Sequence, residues 1–479
     1  MSASYARKWG RTRSRRALTS LAILATGGSL VGFAVDARAQ GQPKAPTTAG
    51  AHPTSAPSDP DAEPPPPVVP TTSTSGGLSL QGAIQLALSR NERVRISDLN
   101  VVVSEAAVER ARTAFLPLVT ANASDSLTAA VAAGQPNNVG TGSLVITQPL
   151  VNVPSWPLYW QARALADAQH AQNVDDKRVL AFNAAAAFFA VLGAQGILDA
   201  AKRQLENARS NLADTQARAE AQLTSSNDVT RAQIDLTSAE REAAADAGNC
   251  ENAYVQLAFI INAPALAPLV PPADTLNAAE NGIGGIEDLV RGAVARRPDV
   301  LANQHLVAAA RDFADEPLLR IIPTLNLQAT ANGTSNVPTT THQFNNESVT
   351  ANLTWTLYDS GVRYADKHSR DAQAEIADLT LKLLLRNVDA QVRSAAALLG
   401  SAQTAFRVAY KAMMASQQNV DETAILYRQG LAKAIELVDA NDARFTAEVN
   451  YADTQYAMEE AYLNLRQALG LDALGTELK

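Results

Sequence analysis

The chain has 479 residues and a formal net charge of −8, so it is long enough for two or three domains or one large unit. This acidic balance leaves no basic surplus to neutralise phosphates, which argues against nucleic acid as a partner. The single cysteine, Cys250, excludes an intrachain disulfide, and the five scattered histidines exclude a Cys/His metal framework, so we expect no cofactor.

The N-terminus has the features of a signal peptide. A basic stretch over residues 7–16 precedes an apolar run, and Ala37 and Ala39 supply the small residues of a cleavage motif. We therefore assign residues 1–39 to a signal peptide, with a retained membrane anchor as the alternative. Residues 40–76 are rich in Pro, Thr and Ser, a composition typical of a disordered tether.

The rest of the chain consists of two similar halves. Each half begins with a short helical segment, a kink ("SRNERV" or "RRPDV") and a second helix. Each then has a proline leading into alternating residues, a Gly/Asn/Thr-rich loop, a second alternating stretch and a very long helical region. The period of about 200 residues indicates a tandem duplication. We divide the chain into a first repeat (77–270), a linker (271–285), a second repeat (286–470) and a C-terminal tail (471–479).

Four segments alternate apolar and polar residues with a period of two. In the clearest one, Val349, Ala351 and Leu353 fall on one face, and Thr350 and Asn352 fall on the other. Segments of this kind, about ten residues long, are typical of membrane-crossing barrel strands, although a soluble sandwich with one wet face has the same alternation. The predicted strands are about 115–128, 142–151, 323–333 and 347–358.

Two long regions contain no proline although the chain has 23, which favours long helices. We expect helices over about 155–259 and 361–469, each a long helix followed by a return helix. A single helix over 361–428 would be roughly 100 Å long at 1.5 Å per residue. The most apolar stretch, residues 181–201, contains Asn183 and Gln195, so we interpret it as a buried bundle helix rather than a bilayer span.

The strand count has a consequence for assembly. Four strands cannot close a barrel, and lipid does not tolerate an open sheet edge. Several copies must therefore contribute four strands each to one barrel, with the helical hairpins extending the passage on one side of the membrane.

Several motifs show that the chain resembles the TolC-type outer membrane efflux protein family. "LSLQGAIQLAL" and "ARTAFLP" resemble the signatures of its first half, and "ARRPDV" and "IPTLNL" those of its second half. "LYDSGVRYAD" resembles the family's strand-to-helix junction, and "YRQGLAKAIELVDA" its hairpin tip. The resemblance covers about residues 78–469. The first strand exit, "TQPLVNVPSWPLYW", departs from the family because it lacks Asp-Gly-Gly.

The resemblance implies a mixed fold of membrane β-barrel and α-helical tunnel. Three copies would share one 12-strand barrel in the outer membrane and one helical barrel in the periplasm. The implied partners are a periplasmic adaptor protein and an inner membrane transporter of RND, ABC or MFS type. The chain would then be the passive exit duct of a tripartite efflux system for small molecules. The alternatives are a type I protein secretion duct or a periplasmic coiled-coil scaffold without a pore.

The resemblance also assigns roles to residues at the hairpin tips. Glu436 and Asp439 would form acidic rings at the periplasmic aperture, whereas spacing alone favours two acids that complement a helix N-terminus. Tyr427 and Asp228 would form a contact that holds the tunnel closed. Leu223, Gly430 and Leu431 would form the hairpin ends that dock the adaptor.

The closing network departs from the family pattern at one position. The family has an arginine two residues after the tip glycine, and this chain has Ala432 there, with Lys433 beside it. We find no nucleophile motif, phosphate loop or His pair in the sequence, so we expect no enzymatic activity.

Overall fold

Two helical hairpins and one four-stranded sheet form the body of the protein. The computed structural model describes residues 77–129, 136–265, 268–281, 284–335 and 345–474. These residues belong to one compact unit, Ser73–Lys479. The predicted signal peptide and the predicted tether lie outside the described residues.

The first repeat begins with strand β1 (Leu78–Ser79) and helices α1 (Leu80–Arg90) and α2 (Glu92–Arg112). The Ser79 hydroxyl accepts a hydrogen bond from the Gly82 amide, and the Asn91 side chain accepts one from the Arg93 amide. These side chains satisfy backbone donors at the two helix starts, so the predicted kink is a boundary between two capped helices. Strands β2 (Leu118–Leu127) and β3 (Asn138–Val151) follow, and then the hairpin of α3 (Ser155–Glu220) and α4 (Ser226–Ile261).

The second repeat has the same order of elements. A short strand β4 (Leu269–Val270) and helix α5 (Ala273–Glu280) connect the repeats, so the predicted linker contains a helix. The repeat itself consists of α6, α7, β5, β6, α8 and α9. Their bounds are α6 Ile286–Arg296, α7 Pro298–Leu319, β5 Thr324–Thr334, β6 Asn345–Thr354, α8 Val362–Arg428 and α9 Ala434–Ala468.

The four long strands form one antiparallel sheet in the order β2-β3-β5-β6. Residues paired across the strands give each face a consistent character, and one row is entirely apolar: Val119, Ile146, Ala329 and Val349. A row on the opposite face is polar except at one position: Thr120, Val145, Thr330 and Ser348. The pairing confirms the predicted alternation, and Val145 explains why it is weakest in β3.

The last strand is shorter than predicted at its C-terminal end. β6 ends at Thr354, so Trp355 to Tyr358 do not extend it to residue 358. The indole nitrogen of Trp355 donates a hydrogen bond to the Ile321 carbonyl, 2.9 Å away. This contact ties the chain after β6 to the chain before β5, beneath the sheet.

Two hydrophobic cores hold the helices together, and the first of them also includes Leu463 of α9 from the second repeat. The first includes the fully buried Phe188 on α3 and Leu257 on α4. The second includes Val388 and Val392 on α8 and Met458 on α9. Ala473 is buried in the first core, so the predicted C-terminal tail begins as packed chain.

One described helix, α3, has an 18-residue stretch long and apolar enough to cross a membrane by length and composition. Half of that stretch is buried inside the protein, and α3 supplies Phe188 and Phe189 to the first core. These contacts support the interpretation of α3 as a buried bundle helix.

Candidate functional site at the hairpin tips

The two hairpins turn through loops of the same length and geometry. The first loop is 221–225 and the second is 429–433. The Leu223 amide donates to the Arg218 carbonyl, and the Leu431 amide donates to the Leu426 carbonyl, at 2.8 and 2.9 Å. These six-to-one hydrogen bonds are the mark of a Schellman motif, which satisfies the free carbonyls at a helix C-terminus.

The residue that turns the chain differs between the two tips. Gly430 turns the chain with a φ of 76°, a left-handed conformation that glycine adopts without strain. In the first tip, Gln222 occupies the equivalent position with a φ of 58°. A side chain in this left-handed region costs about 1–2 kcal/mol, so the first tip is the more strained of the two.

The residue after each turn is an exposed leucine. Leu223 is 77% exposed and Leu431 is 73% exposed, although a Schellman motif often buries this position against its own helix. The two repeats thus present the same apolar side chain to solvent at the same place. Both leucines are available for contact with another molecule.

The return helices begin differently. Ser225 caps α4: its hydroxyl accepts from the Asp228 amide, and the Asp228 carboxylate accepts from the Ser225 amide and from the hydroxyl of Thr224. These hydrogen bonds lower the pKa of Asp228, and the one from the Thr224 hydroxyl has the largest effect. Lys433, the N-cap residue of α9, makes no side-chain capping hydrogen bond, and Glu436 supplies the acidic charge of the first turn.

Tyr427 is buried, and its partner is an arginine of the other hairpin. The Arg218 guanidinium lies 4.2 Å from the centre of the Tyr427 ring, which joins the C-terminal ends of α3 and α8. Among the described residues, the hydrogen bonds to the Asp228 carboxylate come from Thr224 and Ser225. The contact between Tyr427 and Asp228 stays a prediction.

Glu436 and Asp439 are both exposed side chains on α9. Asp442 continues their spacing of three residues, and its carboxylate accepts a hydrogen bond from Gln204 of α3 at 2.8 Å. Asp439 lines a cavity of about 470 Å³ between α4 and α9, with α3 as its floor, together with Asp235 and Asp442. Asp439 is therefore part of a larger acidic region formed by α4 and α9.

Sequence reasoning missed Arg218, Asp235 and Asp442 as members of this region. Asp442 was detectable, because it extends the regular spacing of Glu436 and Asp439. Arg218 and Asp235 carry no local signal, since each acquires its neighbours only when two hairpins pack side by side.

An antiparallel sheet with one apolar and one polar face, continued by two long helical hairpins, defines a class of membrane channel. In this class the strands cross the membrane and the helices extend the passage beyond it. The chain belongs to the outer membrane efflux protein family, whose model matches residues 83–263 and 289–471.

Similar proteins agree with the family. Outer membrane protein TolC of Escherichia coli is 25% identical over 426 residues, which cover 82% of this chain and 85% of that protein. Outer membrane protein TolC of Vibrio cholerae is 24% identical over 376 residues, which cover 76% of this chain and 84% of that protein.

Solved structures share the fold. CusC, whose structures describe transmembrane channel formation, superposes with a TM-score of 0.72 at 17% identity, covering 82% of this chain and 92% of CusC. The open state of the MtrE outer membrane channel of Neisseria gonorrhoeae superposes with a TM-score of 0.71 at 20% identity. The superposition covers 84% of this chain and 91% of MtrE. The chain is thus an outer membrane efflux channel, with its strands in the membrane and its helical hairpins in the periplasm.

Proposed function

We propose that three copies of the chain form the passive exit duct of a tripartite efflux system for small molecules. A periplasmic adaptor and an inner membrane transporter of RND, ABC or MFS type are the partners, and the transporter supplies the energy. The family and the relatives' names support export across the outer membrane and do not favour protein secretion or a scaffold without a pore.

The observation that carries the assembly is the pair of free edges on the sheet. β2 and β6 are the outer strands of the four-stranded sheet, so each has one unpaired side within the chain. Unpaired backbone groups cost several kcal/mol each in hydrocarbon. Pairing of β6 in one copy with β2 of the next removes both edges, and three copies give twelve strands.

The tip residues have three proposed roles in this assembly. Glu436 and Asp439 of three copies form two acidic rings at the periplasmic aperture, which favour cations over anions. Tyr427 and Asp228 contribute to holding the aperture closed. Leu223, Gly430 and Leu431 form the hairpin ends on which the adaptor docks.

The test combines assembly with transport. Sedimentation analysis of the purified protein in detergent is expected to give three copies per particle, and planar bilayers are expected to show single-channel conductance. Loss of the gene is expected to raise the sensitivity of the cell to small toxic compounds, with recovery when the intact gene is restored. A monomer without conductance would contradict the duct.

A further inference from the structure

The groove between α4 and α9 is rich in acidic side chains, most of which are not part of the proposed aperture rings. Both helices pack on α3 but contact each other little, which leaves the 470 Å³ cavity between them. Five carboxylates and one guanidinium line it. These residues are Asp228, Asp235, Glu242, Asp439, Asp442 and Arg231.

A second observation in the same cavity indicates a missing donor. Asn211 of α3 lines the floor and is only 6% exposed. Its side-chain oxygen Oδ1 has no hydrogen-bond partner within the described part of the chain. An unpaired buried acceptor destabilises the protein, so a ligand that donates a hydrogen bond here would be bound favourably.

The chemistry of the groove favours an organic cation over a metal ion. Across the described ranges, no group of three or more His, Cys, Asp or Glu side chains is close enough to hold a metal ion. The carboxylates are spread along the groove, and a spread of acceptors suits a cation with several separated N–H donors.

Apolar side chains lie between the acids. On the α4 wall, Ala232 lies between Asp228 and Asp235, and Ala239 lies between Asp235 and Glu242. A ligand that matches this wall has methylene segments between its charged groups. Its methylenes would cover the apolar side chains while its ammonium groups reach the carboxylates.

We propose that the groove between α4 and α9 binds a linear aliphatic polyamine, with its ammonium groups on Asp235 and Asp442 and an N–H donated to Asn211. The site lies within one chain, so it does not depend on the trimer or on the aperture rings. Because its walls belong to different hairpins, the bound polyamine ties the hairpins together.

Polyamine binding to the groove is expected to depend on pH, because its carboxyl groups can take up protons. Burial, and then the charge of Asp442, raise the pKa of Asp235. Burial, and then the charge of Asp439, raise the pKa of Asp442, while its hydrogen bond from Gln204 opposes this. A bound cation favours the ionised carboxylates, so polyamine binding releases protons and strengthens as the pH rises through these raised values.

The experiment is calorimetric titration of spermidine into the purified full-length protein in detergent, at low salt. Wild-type protein is expected to bind spermidine, and more tightly as the pH rises through the range in which Asp235 and Asp442 lose their protons. Asp235→Asn with Asp442→Asn is expected to weaken binding by about tenfold or more, because two charge-assisted hydrogen bonds are lost. Asn211→Leu is expected to weaken binding while leaving the groove charge intact.

The matched control is Glu240→Gln with Asp453→Asn, which removes one exposed charge from each of the same two helices outside the groove. This control is expected to bind spermidine like the wild type. Equal losses in the control and in the groove variant would overturn the proposal, as would competition by Mg²⁺ at equal ionic strength. Equal affinity for N-acetyl-lysine amide would also overturn the proposal. The groove would then bind a single lysine side chain, as another protein would present it, and would not need a polyamine. Circular dichroism of each variant verifies the fold, and Asn211→Leu tests the site separately from charge.

Discussion

The guanidinium of Arg218 covers the ring of Tyr427 at 4.2 Å, and this contact links the end of α3 to the end of α8. The two residues come from different hairpins and lie next to the tip loops. A cation over a desolvated tyrosine ring contributes about 0.5–2 kcal/mol. The pair therefore fixes the two tips relative to each other within one chain.

We expect Arg218→Ala to loosen the tips, because it removes the cation above the ring and exposes Tyr427. Local stability at the tips should fall by about 0.5–2 kcal/mol. Amide hydrogen exchange of the two tip loops measures this change. Arg209→Ala on the exposed face of α3 is the control, and equal exchange in both variants would contradict the role of Arg218.

We expect Tyr427→Phe to raise the resting conductance of the channel, because the hydroxyl that would bond Asp228 in the closed state is lost. The phenylalanine ring still accepts the Arg218 guanidinium, so this substitution separates the hydroxyl from the stacking contact. Planar bilayer recordings at constant salt measure the effect. If conductance is unchanged, the hydroxyl does not hold the aperture closed.

Gln222→Gly is expected to stabilise the first tip by about 1 kcal/mol, because glycine adopts the left-handed conformation without side-chain strain. Gly430→Gln should destabilise the second tip by a similar amount. Hydrogen exchange at the tips gives both values. Ala221→Gly is the control: its φ is −78°, so glycine there relieves no strain and should not stabilise the loop.

The double variant Glu436→Gln with Asp439→Asn is expected to lower the preference for cations over anions. The concentration of a multivalent cation needed for half-block should rise by on the order of tenfold, because six carboxylates leave the proposed rings. Reversal potentials in a salt gradient provide the measurement. Asp453→Asn with Glu460→Gln removes the same charge from α9 away from the tip, and an equal effect there would rule out the rings.

Stability should depend on pH through Glu459, which is 3% exposed on α9 and has an unpaired Oε2 among the described residues. Burial raises the pKa of Glu459 from 4.5 to about 7. The folded state therefore holds this proton where the unfolded chain has released it. Stability falls by about 3 kcal/mol as the pH rises from about 4.5 to about 7.

Glu459→Gln is expected to remove this dependence and to raise the unfolding temperature at pH 8 relative to the wild type. Thermal unfolding in detergent at several pH values between 4.5 and 8 measures it. The neighbouring Glu460 is exposed, so Glu460→Gln should leave the pH dependence unchanged. An unaltered slope in Glu459→Gln would mean that other groups set it.

Most of the fold could be predicted from the sequence, because its main signals are local. The absence of proline indicated the two long helical regions, the predicted helix over 361–428 starts one residue before α8 and ends with it, and period-two alternation located the four strands. The strand end at Thr354 was misplaced because the alternation of Trp355 and Leu357 continues after the sheet has ended. The sequence gives no sign of the short β1–β4 pairing, because two residues per strand are too few to show an alternating pattern.

The tip site was only partly predictable for a related reason. Gly430 and the acids after it form a motif within one segment, so they could be found by reading along the chain. The equivalent turn at Gln222 lacks the glycine that marks such turns, and its geometry follows from the hydrogen bonds of Leu223. Arg218 and Asp235 acquire their importance across hairpins, where spacing along the chain carries no information.

The order β2-β3-β5-β6 places the junction between the two repeats in the middle of the sheet, as the antiparallel pair β3 and β5. In a closed ring, β6 of one copy would meet β2 of the next in the same antiparallel sense. Every second pair of neighbouring strands in the ring would then join one repeat to the next, through β3 and β5 within a chain and through β6 and β2 between chains. A three-copy barrel would thus have a pseudo-sixfold wall of six strand hairpins, and the covalent link between repeats would ensure that their number is even.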